Sequence, residues 1–294
     1  VAKLIRVDAE LVRRGLACSR AQAQDLIRAG VVYVDRSVVT KPARQINPAQ
    51  ALVVKEQAQC EEWASRGAYK LLGALEYLGD RAPHIMGVRA LDAGASTGGF
   101  TDVLLRKGAG EVIAVDVGKG QLRWRLQQDP RVTILDDTNV RYLELAMVAP
   151  PVQLIVSDLS FISLTLVIPA LVRVAAPDAS FLLMVKPQFE VGRDRVGAGG
   201  VVRSTELHYE AIAKVLDAAQ KEGLGVMAVA PSPLPGSAGN VEYFVYLRAG
   251  VPTELEGGIE AAIRGAIAAG PAGSAGSAGS AGSAGSAGLA AHKK

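Results

Sequence analysis

The chain has 294 residues, 49% of them hydrophobic and 5% aromatic, with a formal net charge of +3. That fits one medium-sized α/β domain plus something small, and total charge alone points to no partner. Two cysteines (Cys18, Cys60) and three histidines without ligand spacing exclude a disulfide framework and a structural zinc site, so no metal is expected.

The charge is uneven. Residues 1–60 carry ten Lys or Arg against five acids, a surplus larger than that of the whole chain. A basic module suits a polyanion, although an ordinary solvated surface can look the same. Within it a helix is expected from Ala9 to Arg14, stopping at Gly15. Ser19-Arg20-Ala21-Gln22 reads as a capping box opening a second helix that buries Ala23, Leu26 and Ile27 and ends at Gly30. Val31–Val34 and Val38–Val39 form a hairpin about Asp35-Arg36, and Leu52–Val54 adds a strand.

Glu61-Glu62-Trp63-Ala64-Ser65-Arg66-Gly67 reads as a linker, residues 61–67, before a helix over 68–78. Strands are then expected at 88–92, 111–116, 131–136, 152–157, 180–185, 225–230 and 241–248. Helices are expected near 99–107, 120–128, 163–175 and 205–222, with a last one over 254–269. Seven strands alternating with helices, the last pair antiparallel, make a doubly wound α/β sheet over 68–270. The greasiest run, Leu159 to Val172, contains Pro169 and is too short to span a bilayer. A charged N-terminus without an apolar core segment, and few cysteines, suggest the cytoplasm, with no membrane partner. Residues 271–294 are mostly repeated Gly, Ser and Ala, a composition that packs no core and is expected to be a disordered tail.

Leu91-Asp92-Ala93-Gly94-Ala95-Ser96-Thr97-Gly98-Gly99-Phe100 runs an apolar strand into a Gly-rich turn and a helix. The next strand ends in Asp116, 22 residues after Gly94. Glycines let backbone approach a nucleotide cofactor, and the acid binds ribose hydroxyls. Ser96 takes the place of the central glycine of the dinucleotide fingerprint, which speaks against hydride transfer. The glycines alone fit a strand–turn–helix junction equally well; Asp116 tips the reading toward a site. Gly94 to Phe100 face the cofactor, and Asp137, Thr138 or Asn139 at the end of the third strand lie beside its base.

Polar residues stop three further apolar strands: Asp158 after Leu154–Ser157, Lys186 after Leu182–Val185, and Glu242 at the start of the last strand. The carboxyl ends of parallel strands form the ligand crevice of an open sheet, and an antiparallel last strand begins at that same edge. Lys70, on the helix after the linker, is a fourth candidate. A lone lysine is usually a solvated charge, but Lys186 follows a wholly apolar strand, where a proton acceptor for a weakly acidic hydroxyl would sit.

Together these residues resemble a known family. Lys70, Asp158, Lys186 and Glu242 are similar to the Lys-Asp-Lys-Glu tetrad of FtsJ-like ribose 2′-O-methyltransferases, and Leu91 to Phe100 resembles their cofactor motif. The N-terminal module resembles an RNA-binding domain shared by a small-subunit ribosomal protein and RNA-modifying enzymes. With Ser65–Leu71, Asp158–Ser163, Lys186–Glu190 and Gly239–Phe244, the chain resembles the TlyA family over about residues 3–268. One departure is the linker: relatives often read Arg-x-Trp-Val where Glu61-Glu62-Trp63-Ala64 stands here.

The resemblance implies a Rossmann-like seven-stranded methyltransferase sheet behind a small α+β RNA-binding domain. S-adenosylmethionine is the implied cofactor, and Asp158 stands in both the cofactor and catalytic sets. The implied reaction is 2′-O-methylation of cytidine in 16S and 23S ribosomal RNA, of the 30S and 50S subunits, conferring capreomycin and viomycin susceptibility. Arg6, Arg13, Arg14, Arg20, Arg28, Lys41 and Arg66 are the expected RNA contacts, and a monomer is expected. The Gly-rich loop from Gln188 to Val202, with Arg193 and Arg195, fits a lid touching RNA phosphates or a plain connection. A non-catalytic ribosome-assembly factor and, behind it, a membrane-active haemolysin are the alternatives; a pure binder has no need of the tetrad.

Overall fold

The computed structural model describes residues 4–14, 16–17, 20–55, 63–236 and 238–270, without the side chains of Ala21, Gln22 and Ala198. The helix stop at Gly15, the Ser19 capping box, both cysteines, Glu61-Glu62 and the tail lie outside the described residues. The chain divides into two compact units, Val1–Glu62 and Trp63–Lys294.

In the first unit, β1 (Ile5–Arg6) leads into α1 (Val7–Arg13), and α2 spans Arg20–Arg28. They are followed by β2 (Val32–Val34), β3 (Ser37–Val38), β4 (Gln45–Ile46) and β5 (Leu52–Val54). Helix α1 starts two residues earlier than expected, because Val7 and Leu11 share its buried face at i, i+4 spacing. Ala23 and Ile27 of α2 are buried, whereas Leu26 is only half-buried. Asp35 and Arg36 both have positive φ (46° and 68°), the backbone a tight two-residue hairpin demands. The sheet order is β3-β2-β5, and β1 pairs separately with β4.

The second unit opens with α3 (Gly67–Leu78) and continues through β6 (Arg89–Ala93), α4 (Gly99–Arg106), β7 (Glu111–Val115), α5 (Trp124–Gln127) and β8 (Val132–Leu135). Then come α6 (Leu145–Val148), β9 (Val152–Ser157), α7 (Ile168–Val174), β10 (Ala175–Val185), α8 (Pro187–Glu190), α9 (Thr205–Lys221), β11 (Leu224–Pro231), β12 (Tyr243–Ala249) and α10 (Gly258–Ala269). All seven strands join one sheet in the order β11-β12-β10-β9-β6-β7-β8. β10, β9, β6, β7 and β8 are parallel, and β12 runs antiparallel between β10 and β11.

Alternation along each strand sorts the core into two layers. Leu91, Ile113, Ile155, Leu183 and Val245 face the side covered by α7, α9 and α10, while Ala90, Val112, Leu154, Leu182 and Phe244 face α3 and α4. Several boundaries differ from expectation for local reasons. The helix expected at 163–175 is a 3-10 turn (164–166) followed by α7, because Pro169 fits only a first turn. α5 is short because Gly118 and Gly120 give their amides to Asp116 and Asp136, which holds the preceding residues in a loop. The last helix starts at Gly258, after Gly257 in the left-handed region. β10 starts at Ala175, but its first residues pair irregularly around Pro177, which has no amide to donate.

Candidate active site

The Gly-rich turn between β6 and α4 is built from left-handed residues: Gly94 (φ 88°), Ser96 (47°) and Gly98 (96°). The amides of Gly94 and Ala95 donate to the carbonyl of Val115 on β7 (2.9 and 3.1 Å), which pins the turn to the neighbouring strand. A Cβ at Gly94 would lie 3.0 Å from the carbonyl oxygen of Asp158, and one at Gly99 would lie 2.3 Å from Ser65 Oγ. The glycines therefore also serve close packing within the turn, as a plain junction would require.

Asp116 follows β7 and accepts the Ser96 amide at 2.8 Å and the Gly118 amide at 2.7 Å. Each of its oxygens keeps a second lone pair. Asp137 and Thr138 abut this loop through main-chain bonds to Gly118 and Asp116. Their side chains point elsewhere. Asp137 is exposed and 3.4 Å from Lys119, Thr138 donates to the Asp136 carbonyl, and Asn139 caps the next turn through the Arg141 amide.

A pocket of about 620 Å³ opens beside the turn. Among expected residues it is lined by Arg66, Lys70, Gly94, Ala95, Ser96, Thr97, Gly99, Phe100, Asp158, Lys186 and Glu242. Gly98, Asp116, Asp137, Thr138 and Asn139 do not line it.

Inside this pocket the four polar strand-end and helix residues form a chain of alternating charge. Lys186 Nζ is 2.6 Å from Asp158 Oδ1, Lys70 Nζ is 3.8 Å from Asp158 Oδ2, and Lys70 Nζ donates to Glu242 Oε2 at 2.6 Å. Lys186 and Glu242 are buried, and Asp158 is the most open of the four side chains, at 22%. A Cβ at Gly236 would fall 2.5 Å from Glu242 Oε1, so that glycine makes room for the acid.

Several residues in and around the pocket were silent in the sequence. Ser160 Oγ accepts Lys186 Nζ at 2.9 Å. Phe161 is 90% exposed, holds a positive φ of 66° and packs on Phe189 with ring centroids 5.2 Å apart. Asn240 fixes the Gly-rich loop by donating to the Gly200 carbonyl and accepting the Val202 amide. Asp92, fully buried at the end of β6, accepts the amide and hydroxyl of Thr101 on Oδ2, while Oδ1 has no partner. Burial, against the Thr101 hydrogen bonds and with the charges of Asp158 and Asp116 adding to it, pushes its carboxyl up to about 7. The linker's second half is built into this unit. Trp63 lies under the Arg106 guanidinium at 4.2 Å, and the Ala64 amide donates to Asp102 at 2.9 Å.

These features fit S-adenosylmethionine. The Asp116 carboxylate after β7, whose oxygens keep free lone pairs, and the Asp158 carboxylate in the pocket suit a cofactor that bears ribose hydroxyls and cationic groups. Among the described residues no group of His, Cys, Asp and Glu is arranged to hold a metal ion, and no helix is long and apolar enough to cross a membrane.

The expected RNA contacts of the first unit are all on the described surface, but most are ion-paired within it. Arg6 and Arg20 pair with Asp8, Arg13 and Arg14 with Glu10, and Arg28 with Asp25. Arg14 also donates to the carbonyls of Pro48 and Gln50, so it ties the fold together. Lys41 is exposed.

The description FtsJ-like methyltransferase matches residues 63–249, and that of the S4 domain matches residues 5–52. The chain is 50% identical to the 16S/23S rRNA (cytidine-2′-O)-methyltransferase TlyA of Mycobacterium tuberculosis, over 92% of this chain and all of that protein. It is 36% identical to Hemolysin A of Brachyspira hyodysenteriae, over 82% of this chain and 99% of the relative. A solved structure, "Putative hemolysin from Streptococcus thermophilus", superposes with a TM-score of 0.65 at 34% identity, covering 90% of this chain and 96% of that one. With its family match spanning the whole sheet and turn just described, the chain belongs to the FtsJ-like methyltransferases, enzymes dependent on S-adenosylmethionine, and carries an S4 domain in front.

Proposed function

We propose that this enzyme methylates the ribose 2′-hydroxyl of cytidines in 16S and 23S ribosomal RNA, acting on the 30S and 50S subunits as a cytoplasmic monomer. Capreomycin and viomycin susceptibility would follow from that modification. The observation that carries this reading is the Lys186–Asp158–Lys70–Glu242 chain lying in one pocket with Gly94–Thr97, Gly99 and Phe100 of the turn. Half-identity to a relative named for the same reaction supports the substrate.

The cofactor supplies an electrophilic methyl on a positively charged sulfur. Transfer of that methyl to the ribose oxygen would break the carbon–sulfur bond, and Lys186 would take or polarise the hydroxyl proton. Asp158 and Glu242 orient the two lysines and the ribose, and Lys70 supports the charge that develops on oxygen. Positioning supplies much of the acceleration, because the methyl donor is already reactive. Gly94 to Phe100 would hold the methionine part of the cofactor, Asp116 its ribose, and the Asp137–Asn139 segment its base. Residues 1–60 dock RNA through Arg6, Arg13, Arg14, Arg20, Arg28 and Lys41, and the exposed Arg66 does so at the pocket.

The deciding experiment is transfer of labelled methyl to undermethylated small and large subunits, assayed separately. Alkali-resistant dinucleotides from both subunits are expected. Label in one subunit only narrows the substrate, and no label despite cofactor binding would favour an assembly factor.

A further inference from the structure

Glu190 is a buried carboxylate on which both loops of the lysine–acid chain converge, and the roles assigned above leave it unused. It closes α8, four residues after Lys186, and is 3% exposed. Its Oε1 accepts the Leu164 amide at 2.7 Å and its Oε2 accepts the Ser163 hydroxyl at 2.5 Å. Those two residues open the 3-10 turn that ends the loop bearing Asp158, Ser160 and Phe161. From α9, Lys214 donates to the Glu190 main-chain oxygen at 2.8 Å and stands 4.0 Å from Oε2. The same two segments meet on the pocket side through Lys186–Asp158, Lys186–Ser160 and Phe161–Phe189.

We propose that Glu190 is a positioning residue for methyl transfer, clamping the 158–163 loop onto α8 and so fixing Lys186 relative to Asp158 and Ser160. This rests on the reading of Lys186 as the proton-handling group and Asp158 as the acid that orients it. Glu190 does not line the pocket, so it acts only through those groups. Stability alone does not account for a carboxylate here. Burial pushes its carboxyl up from the ordinary value, although Ser163, Leu164 and Lys214 oppose this. A buried charge of that kind stabilises the fold less than a neutral side chain of the same shape. A carboxylate does offer two acceptors to two donors on one loop. Glutamine offers one acceptor and turns an amide donor toward Ser163, whose oxygen already accepts the Thr165 amide.

The test uses the full chain with undermethylated ribosomal subunits. It compares Glu190→Gln, Ser163→Ala and Lys186→Ala by single-turnover methyl transfer, cofactor affinity by calorimetry, and thermal unfolding. Glu190→Gln and Ser163→Ala should each slow transfer at saturating substrates by about 10- to 100-fold, the loss expected for displaced reacting groups. Cofactor affinity should stay unchanged, even where the mismatched amide of Glu190→Gln lowers the melting temperature. Parental rates in both variants would overturn the proposal, as would a rate loss matched by lost cofactor affinity and a lower melting temperature, which marks a merely structural role. Ser163→Ala reads the same clamp should Glu190→Gln fail to fold. Parental turnover in Lys186→Ala would sink the underlying reading and the clamp with it. An inactive Lys186→Ala beside parental Glu190→Gln and Ser163→Ala would overturn the clamp alone.

Discussion

Lys70 Nζ and Glu242 Oε2 lie 2.6 Å apart although 172 residues separate them in the chain. The pair joins α3 to the start of the antiparallel strand β12, and both side chains are largely removed from water, at 12% and 2% exposed. Strand β12 enters the sheet between β10 and β11, which brings its first residues to the edge where the parallel strands end. The inverted strand is thus what delivers the second acid.

Breaking this pair should be costly. Glu242→Ala leaves a largely buried ammonium with Asp158 at 3.8 Å and the weak acceptor Met184 Sδ at 3.9 Å, and a loss of about 3 kcal/mol is expected. A Lys70→Met/Glu242→Leu double variant should regain much of that stability while remaining inactive. Urea denaturation and methyl transfer on the same samples separate the two effects; a stable, active double variant would remove Lys70 and Glu242 from the chemistry.

Lys186 is expected to matter for turnover rather than for cofactor binding. It contacts Asp158 and Ser160 and lines the pocket. Lys186→Ala should lower the single-turnover rate by about 1000-fold, the range of a lost proton-transfer group, with cofactor affinity nearly intact. Equal loss of both quantities would mean that Lys186 holds the cofactor instead.

Asp92 predicts a pH dependence of stability. The folded chain holds its proton up to about 7, whereas the unfolded carboxyl titrates near 3.8. The folded state therefore binds the extra proton between those values, so stability is greatest below the lower one and is lost as pH rises through the upper one. The slope is at most about 1.4 kcal/mol per pH unit. Asp92→Asn keeps an acceptor for Thr101 and removes the slope, so its advantage over the parent should be larger at about pH 8 than at about pH 5. Melting curves across that range decide it; parallel curves would show that Asp92 titrates normally.

In the first unit the sign is opposite. Hydrogen bonds from Arg6 and Arg13 lead in pulling Asp8 and Glu10 down to about 2 against their burial, with Gln24, Arg20 and Arg14 adding to the effect. Stability from these pairs is present above the ordinary carboxylate values and is lost as pH falls toward 2. An isolated Asp8→Asn or Glu10→Gln change should flatten that acid limb, seen by circular dichroism.

The same arginines give a binding prediction. Arg13 and Arg28 are the most exposed of the paired set, at 59% and 66%, and an exposed pair with a carboxylate is worth little against a phosphate. Arg13→Glu and Arg28→Glu should each weaken RNA binding across sequences and reduce the slope of log affinity against log salt by about 1. Arg14→Ala, in contrast, should chiefly destabilise the unit, since its donors are spent on Pro48 and Gln50. Salt-independent affinity would place the RNA surface elsewhere.

The amino-acid sequence by itself determined the strands, because runs such as Leu154–Val156 and Leu182–Val185 are apolar and end abruptly in Ser157-Asp158 and Lys186. It also determined the hairpin at Asp35-Arg36 and the Gly94–Phe100 turn, since these depend on local backbone preference. Boundaries shifted where one residue overruled the pattern, as Pro169 does in α7 and Gly257 before α10. Tertiary structure alone decided which charges are spent and which are free. Arg14 and Arg66 look alike in sequence, yet one is tied to two carbonyls and the other lines the pocket. Asp92 and Glu190 were equally silent, because burial and partners 9 and 26 residues away set their chemistry. Local energetics write themselves into a short stretch of chain; desolvation and ion pairing depend on which strands become neighbours, and only the folded sheet fixes that.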